Sequence, residues 1–176
     1  LESVRSTEYS GTLGANYGDR YIFDGLIRHD GSSLFGPEER WHKYYRWSGA
    51  WRMASESWWP FKGLINEFKP RISRGTAGGR PSFADQFETF DFTTGGGLEK
   101  NTLGNKALKP ELSTETEFGL DMIMKDRYSV QLSYAKNRVT DQLIQIPLPG
   151  FYGYTTQWQN AGTVEGNTVE ATFQAQ

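Results

Sequence analysis

The chain has 176 residues, room for one domain, with 36% hydrophobic, 15% aromatic and 23% charged residues and a formal net charge of −2. Its 19 basic against 21 acidic residues exclude a strongly basic nucleic-acid binder, and the absence of cysteine excludes a disulfide scaffold, a thiolate metal site and a cysteine nucleophile. No apolar run approaches the ~20 residues of a membrane helix and no basic-then-apolar leader opens the chain, so neither a transmembrane helix nor a signal peptide is expected. A membrane-spanning β-barrel stays open, because its strands alternate apolar and polar residues.

Taken in chain order, the pattern is period two. From Thr7 to Tyr17, the residues Tyr9, Gly11, Leu13, Ala15 and Tyr17 alternate with Glu8, Ser10, Thr12, Gly14 and Asn16, which predicts a strand with one apolar-or-small face. Gly18-Asp19-Arg20 reads as a tight turn, and Tyr21, Phe23, Gly25 and Ile27 resume the alternation over a second strand at 21–31. Over Lys43 to Met53, Tyr45, Trp47, Gly49, Trp51 and Met53 oppose Arg46, Ser48 and Arg52. The stretch 55–65 offers at most a helical turn or two. Phe68 to Thr76 is a poorer strand, since Pro70 and Arg74 fall on the side of Phe68 and Ile72.

Thr114 to Met124 sets Phe118, Leu120, Met122 and Met124 against Glu115, Glu117 and Asp121. Lys125-Asp126-Arg127 reads as a tight turn, after which Tyr128, Val130, Leu132 and Tyr134 face away from Ser129, Gln131, Ser133 and Asn137. Two further short strands are predicted at about 156–164 and 168–176, joined near 165–167. The total is about eight strands. The connections at 18–20, 125–127 and 165–167 are short and 55–66 is intermediate, whereas 32–42, 78–112 and 147–155 are long and rich in Gly, Pro and aromatics. Short turns on one rim and long loops on the other, with Tyr and Trp near strand ends, fit an antiparallel outer-membrane barrel better than a soluble β-sandwich.

Enzyme signatures are weak. Gly11-Thr12-Leu13-Gly14 and Gly95-Gly96-Gly97 do not stand between a strand and a helix, so they read as small-residue strand positions and a loop rather than phosphate cradles. His29 and His42 lack partners at metal-ligand spacing and read as girdle or rim residues. Glu38-Glu39 and Asp85/Glu88 read as ordinary loop carboxylates, and no Ser, His and Asp set forms an elbow. No catalytic residue, metal ligand or cofactor is assigned, no substrate-binding residue can be named, and the chain does not read as an enzyme.

The motifs themselves carry a resemblance. Arg28-His29-Asp30-Gly31-Ser32-Ser33 with Phe35-Gly36, and Ser48-Gly49-Ala50-Trp51-Arg52-Met53, resemble signatures of the SusC/RagA-type TonB-dependent outer-membrane transporters. Gly75-Thr76-Ala77-Gly78, Leu108-Lys109-Pro110-Glu111 and Glu117-Phe118-Gly119-Leu120-Asp121 are similar to further segments of that family. So are Thr140-Asp141-Gln142-Leu143, Pro147-Leu148-Pro149, Gln159-Asn160-Ala161-Gly162-Thr163-Val164-Glu165 and, more loosely, Asn167-Thr168-Val169-Glu170. These segments occur in the family's order, which makes the set more specific than any member. Departures are Pro70 and Arg74, where the family shows apolar residues, and Trp58-Trp59-Pro60, which enlarges a periplasmic connection.

The resemblance implies that residues 1–176 are a C-terminal part of a larger barrel of roughly 22 strands, without signal peptide or plug, in the bacterial outer membrane. It implies energy-coupled uptake of an oligosaccharide or peptide. The implied partners are outer-membrane lipid, the remaining strands and plug, TonB through a segment outside these residues, and a surface lipoprotein, with no nucleic acid. An open sheet would leave two edges that lipid does not tolerate, so neighbouring strands must complete the wall unless the segment closes on itself as a small structural barrel. A soluble all-β carbohydrate-binding domain using Trp and Tyr as stacking platforms is the third reading.

Facial expectations follow from the period. Tyr9, Leu13, Trp47, Trp51, Leu120, Val130 and Leu132 should meet lipid, and Glu8, Arg46, Arg52, Glu117, Asp121 and Gln131 the lumen, because a charge at the lipid midplane costs about 2–4 kcal/mol. Strands 7–17 with 21–31, and 113–124 with 128–138, should pair as hairpins. Arg74 should snorkel near the outer interface, unless a bulge near Pro70 turns it into the lumen.

Overall fold

The computed structural model describes residues 3–36 and 39–175, and in them a single wall dominates. The strands are β1 (Ser6–Tyr17), β2 (Tyr21–Ser32), β3 (Trp41–Trp51), β4 (Ile65–Gly79), β5 (Phe90–Phe92), β6 (Leu98–Lys100), β7 (Thr102–Leu103), β8 (Glu111–Met124), β9 (Tyr128–Thr140), β10 (Leu143–Pro147), β11 (Thr156–Asn160) and β12 (Thr163–Ala175). Seven form one antiparallel sheet in the order β1-β2-β3-β4-β8-β9-β12; the others build two small sheets, β10-β11-β7 and β5-β6. Both expected hairpins are present, with Tyr17 opposite Tyr21 and Met124 opposite Tyr128. Their turns use left-handed backbone at Gly18 and Asp19 (φ 59° and 53°) and at Lys125 and Asp126 (φ 50° and 54°), which matches the twist of the flanking strands.

Directly opposed residues share a face, so the register assigns the faces across the whole wall. One row runs Ala15–Phe23–Gly49–Ile72–Phe118–Tyr134–Val169. On that face stand Tyr9, Leu13, Trp47, Trp51, Leu120, Val130 and Leu132, as the alternation requires. The opposite face carries Glu8, Arg46, Glu117, Asp121 and Gln131, and Arg52 joins it through an ion pair with Glu67 (3.1 Å), the partner of Ile123 on that face. No second sheet covers the wall among the described residues: every residue of β1 and β12 is exposed, and Leu13 and Val169 keep 66% and 76% of their surface. That exposure disfavours a soluble sandwich, which would bury one face. The described strands β1 and β12 do not pair with each other, so the wall is open rather than a closed small barrel.

The next row outward is Leu13–Gly25–Trp47–Arg74–Thr116–Lys136–Asn167. It is apolar on β1–β3 and polar from β4 onward, while the apolar face of β9 and β12 extends the other way, to Tyr128 and Phe173. The apolar band therefore crosses the strands obliquely, as tilted barrel strands demand. Arg74 stands one step outside that band, opposite Trp47 and Thr116 on the apolar face. The one register irregularity of β4 lies between Ile65 and Glu67, not near Pro70, so Arg74 is not turned into the lumen. Replacing Arg74 with Leu should change barrel melting in detergent by no more than about 1 kcal/mol in either direction, because the lipid-side cost of a cation falls to that range near an interface. A larger loss would mean that the guanidinium has a structural partner.

Three expectations change. The turn near 165–167 is absent: Gly166 and Asn167 lie inside β12, opposite Asn137 and Lys136, and the chain turns at Ala161 and Gly162 (φ 84°) instead. The predicted strand 156–164 is accordingly cut to β11, which leaves the wall for the outer lobe, and the wall has seven strands. The loop 78–112 contains β5–β7 and the loop 147–155 joins β10 to β11; with the described residues of 32–42 they form that lobe. The helical turn expected in 55–65 is not formed there: residues 56–64 make turns and bends, and a 3-10 turn stands just before them at Met53–Ser55.

Candidate functional site: outer lobe and lumenal wall

The lobe is held together by side chains that bond the backbone of distant loops. Leu108 is fully buried, and Phe35 (4% exposed) and Tyr154 (8%) add to the apolar interior. Asn160, at the end of β11, donates through Nδ2 to the carbonyls of Lys109 (2.7 Å) and Asp141 (2.9 Å), and its Oδ1 accepts from the Lys109 N–H (2.9 Å). Glu111 accepts from the Leu143 N–H at 2.7 Å, and Lys109 pairs with Asp141 at 3.0 Å. Asn105 donates to the Trp158 carbonyl (2.9 Å), and the Gln86 amide donates to the Leu34 carbonyl, which ties the chain after β2 to the same unit. The Lys106 carbonyl lies where a Cβ on Gly36 would stand, 2.0 Å away, so only glycine fits there.

Three motifs met separately in the sequence, Leu108–Glu111, Thr140–Leu143 and Gln159–Glu165, thus fasten one another, the last through Asn160. The sequence marked their residues only as family matches; their spacing of some 50 residues between Lys109 and Asn160 gave no local sign of the contact. β7 and β11 add a short parallel pairing, Thr102 opposite Thr156. Burial and a hydrogen bond with Glu88 push the Tyr154 phenol above its ordinary range, and Lys100 lies 4.8 Å over its ring.

The lumenal face of the wall is a ladder of paired charges. Arg46 bonds Asp24 at 2.9 Å, with the Ser48 hydroxyl donating to the same carboxylate at 3.1 Å. Lys69 meets Asp121 at 2.8 Å, and Arg71 bridges Glu117 and Asp121. Toward the lobe, β3 and β4 part. Their paired register ends at Arg46 opposite Gly75, and Thr76 Oγ1 takes the Tyr45 N–H at 3.0 Å in place of a backbone carbonyl. The cleft left there holds about 360 Å³, lined by residues of β2, β3, β4 and β8 that include Arg28, Tyr44, Arg46, Ser73 and Glu115.

The residues weighed for chemistry in the sequence fall elsewhere. His29 packs its ring 4.9 Å from Trp41 on the apolar face, and His42 Nε2 is 2.7 Å from the Glu39 carbonyl on the outer rim. Asp85 caps the turn Phe83–Gln86 through the Ser82 N–H (2.8 Å). Glu88 serves Tyr154. Gly11 and Gly14 are strand positions, and Gly95–Gly97 form the tip of the β5–β6 hairpin. Glu38 lies outside the described residues.

The family described as TonB dependent receptor-like, beta-barrel matches residues 3–176. The chain is 28% identical over 174 residues to TonB-dependent receptor P26 of Formosa agariphila, covering 92% of this chain and 17% of that protein. It is 24% identical over 182 residues to TonB-dependent receptor SusC of Bacteroides thetaiotaomicron, covering 95% and 18%. The chain thus spans less than a fifth of the length of these curated relatives. Its fold superposes on a structure of the RagAB peptide transporter with a TM-score of 0.83 at 22% identity, over 98% of this chain and 20% of that one. It also superposes on the siderophore receptor PirA from Pseudomonas aeruginosa, with a TM-score of 0.67 at 14% identity, over 98% and 35%.

Proposed function

Because the chain belongs to the TonB-dependent receptor β-barrel family, a family of the bacterial outer membrane, we propose that residues 1–176 are a partial barrel domain of an energy-coupled nutrient transporter. The observation that carries the reading is the open seven-stranded wall, which has a charged inner face, an apolar outer face and a built lobe on one rim. Two free edges in lipid require further strands, so the wall belongs to a larger barrel. Within that barrel the ladder of ion pairs faces the lumen and the plug. The lobe and the cleft between β3 and β4 face the incoming solute.

The solute class is an oligosaccharide or a peptide. The cleft's Arg28 and Arg46, paired with Asp30 and Asp24 at 2.9 Å each, and its Glu115 offer donors and acceptors suited to hydroxyls and amides alike, and the similarity to a peptide transporter supports the second class. TonB, engaged through a segment outside these residues, and a surface lipoprotein complete the assembly. The test is uptake of fluorescent oligosaccharide and peptide pools by cells carrying the receptor. Uptake of one class should stop when TonB is removed or an ionophore collapses the proton gradient. Residues 1–176 expressed alone should support none. Uptake that survives loss of TonB would overturn the reading in favour of a passive or structural barrel.

A further inference from the structure

Residues 52–64 join β3 to β4 on the rim that also carries the two tight turns. The inference rests on the proposed outer-membrane reading, in which the short turns face the periplasm and a connection at this rim would hang into it. This one folds back over the apolar face. Trp51 and Phe68 belong to that face, since Trp51 opposes Tyr21 and Phe68 opposes Met122. Trp58 meets Trp51 edge-on with ring centres 6.1 Å apart, and Trp59 stacks on Phe68 at 5.4 Å and 30° while taking Phe61 edge-on at 5.5 Å. The Trp59 indole donates to the Ile65 carbonyl at 3.3 Å, and its ring is 8% exposed.

Glu56 ties the same segment to the same face. It is 5% exposed and accepts from Tyr21 Oη (2.7 Å), Trp51 Nε1 (3.1 Å) and Arg20 (2.9 Å). The hydrogen bond from Tyr21, seconded by that from Trp51, holds its carboxyl below the ordinary range, so the carboxylate is fully partnered. With Trp59 and Glu56 turned inward, the exposed surface of the connection presents Trp58 (56% exposed), Phe61 (49%) and Leu64 (46%) together with Ser57, Pro60 and Lys62. Lys62 bends back to the Ser57 carbonyl at 3.0 Å, which holds its cation at the residue that precedes Trp58.

We propose that this connection is a docking element for inner-leaflet phospholipid, with Trp58, Phe61 and Leu64 seated at the boundary between headgroups and acyl chains and Lys62 at the phosphate level. The patch is continuous with the lipid-facing wall through Trp51 and Phe68, so a bilayer that meets the wall meets it as well. Indole and aliphatic side chains flanked by a cation are the composition that settles in that boundary. The Arg20 guanidinium and the two further donors compensate the charge of Glu56, which would otherwise oppose seating in that boundary. The element widens the aromatic belt beneath β3 and β4 alone. The tight turns 18–20 and 125–127 are too short to do the same.

The experiment places a nitroxide at W58C or F61C in the receptor reconstituted in phosphatidylethanolamine–phosphatidylglycerol vesicles and measures collisions with oxygen and with a water-soluble nickel chelate. V169C, on the lipid-facing wall, and T94C, at the exposed tip of the β5–β6 hairpin, are the references. Labels at 58 and 61 should collide with the chelate severalfold less than at 94 and should favour oxygen as at 169. Either label alone decides if the other variant fails to assemble. Chelate access equal to that at 94 would overturn the proposal, as would shielding that arises only when periplasmic extract is added, since the occupant would then be a protein.

Discussion

Replacing Leu108 with Ala should open the outer lobe and leave the seven-stranded wall assembled. Leu108 is the fully buried side chain of the lobe, and its loss removes the transfer energy of the side chain and leaves a cavity that loops pinned by Asn160 and Gln86 cannot refill. Such truncations cost about 2–5 kcal/mol. The wall does not share this residue; its stability rests on backbone ladders and on lipid. The change should therefore appear as local opening. Cleavage of the lobe by an added protease should quicken by roughly 30- to several-thousand-fold, the same energy read as an opening equilibrium. The heat-dependent electrophoretic mobility of the barrel should stay as it was. Equal loss of both signals would show that lobe and wall fold as one unit.

The wall was legible because burial on one face imposes period two, and a slip by one residue would move every side chain to the wrong face. Tyr9 through Tyr17 and Phe118 through Met124 state their faces without help. Turns were less legible. Gly166-Asn167 carries the composition of a turn yet continues β12, because both residues pair across to Asn137 and Lys136. The actual turn residue, Gly162, lies only a few positions earlier, where left-handed backbone requires it. Pro70 did not force a bulge, since its register with Leu120 is unbroken.

The lobe was not legible at all as a shape. Its strands are two to five residues long, too short for periodicity, and its order comes from side-chain bonds across some fifty residues of sequence. Resemblance found the right residues there, Leu108 and Asn160 among them, before any physical role could be given to them. The connection with Trp58 and Trp59 stood out as a departure. Which way it folds depended on Trp51 and Phe68, and that only the register could reveal.

Replacing Asn160 should loosen the lobe almost as much, and the choice of substitute should reveal why. The side chain makes three bonds to backbone, two given and one received, between 2.7 and 2.9 Å. Asn160→Ala forfeits all three, at about 0.5–1.5 kcal/mol each, and leaves the Lys109 and Asp141 carbonyls to find water in a half-buried site. Asn160→Asp keeps the shape and the bond from the Lys109 N–H, but sets a carboxylate oxygen against those two carbonyls. If the amide matters as a donor, the Asp variant should open the lobe at least as readily as the Ala variant in the protease assay. If it matters chiefly as an acceptor for Lys109, the Asp variant should stay near the parent. The two donated bonds outnumber the accepted one. The aspartate is therefore expected to be the worse replacement, with the exposed Lys109–Asp141 pair, at about 0–1 kcal/mol, unable to compensate.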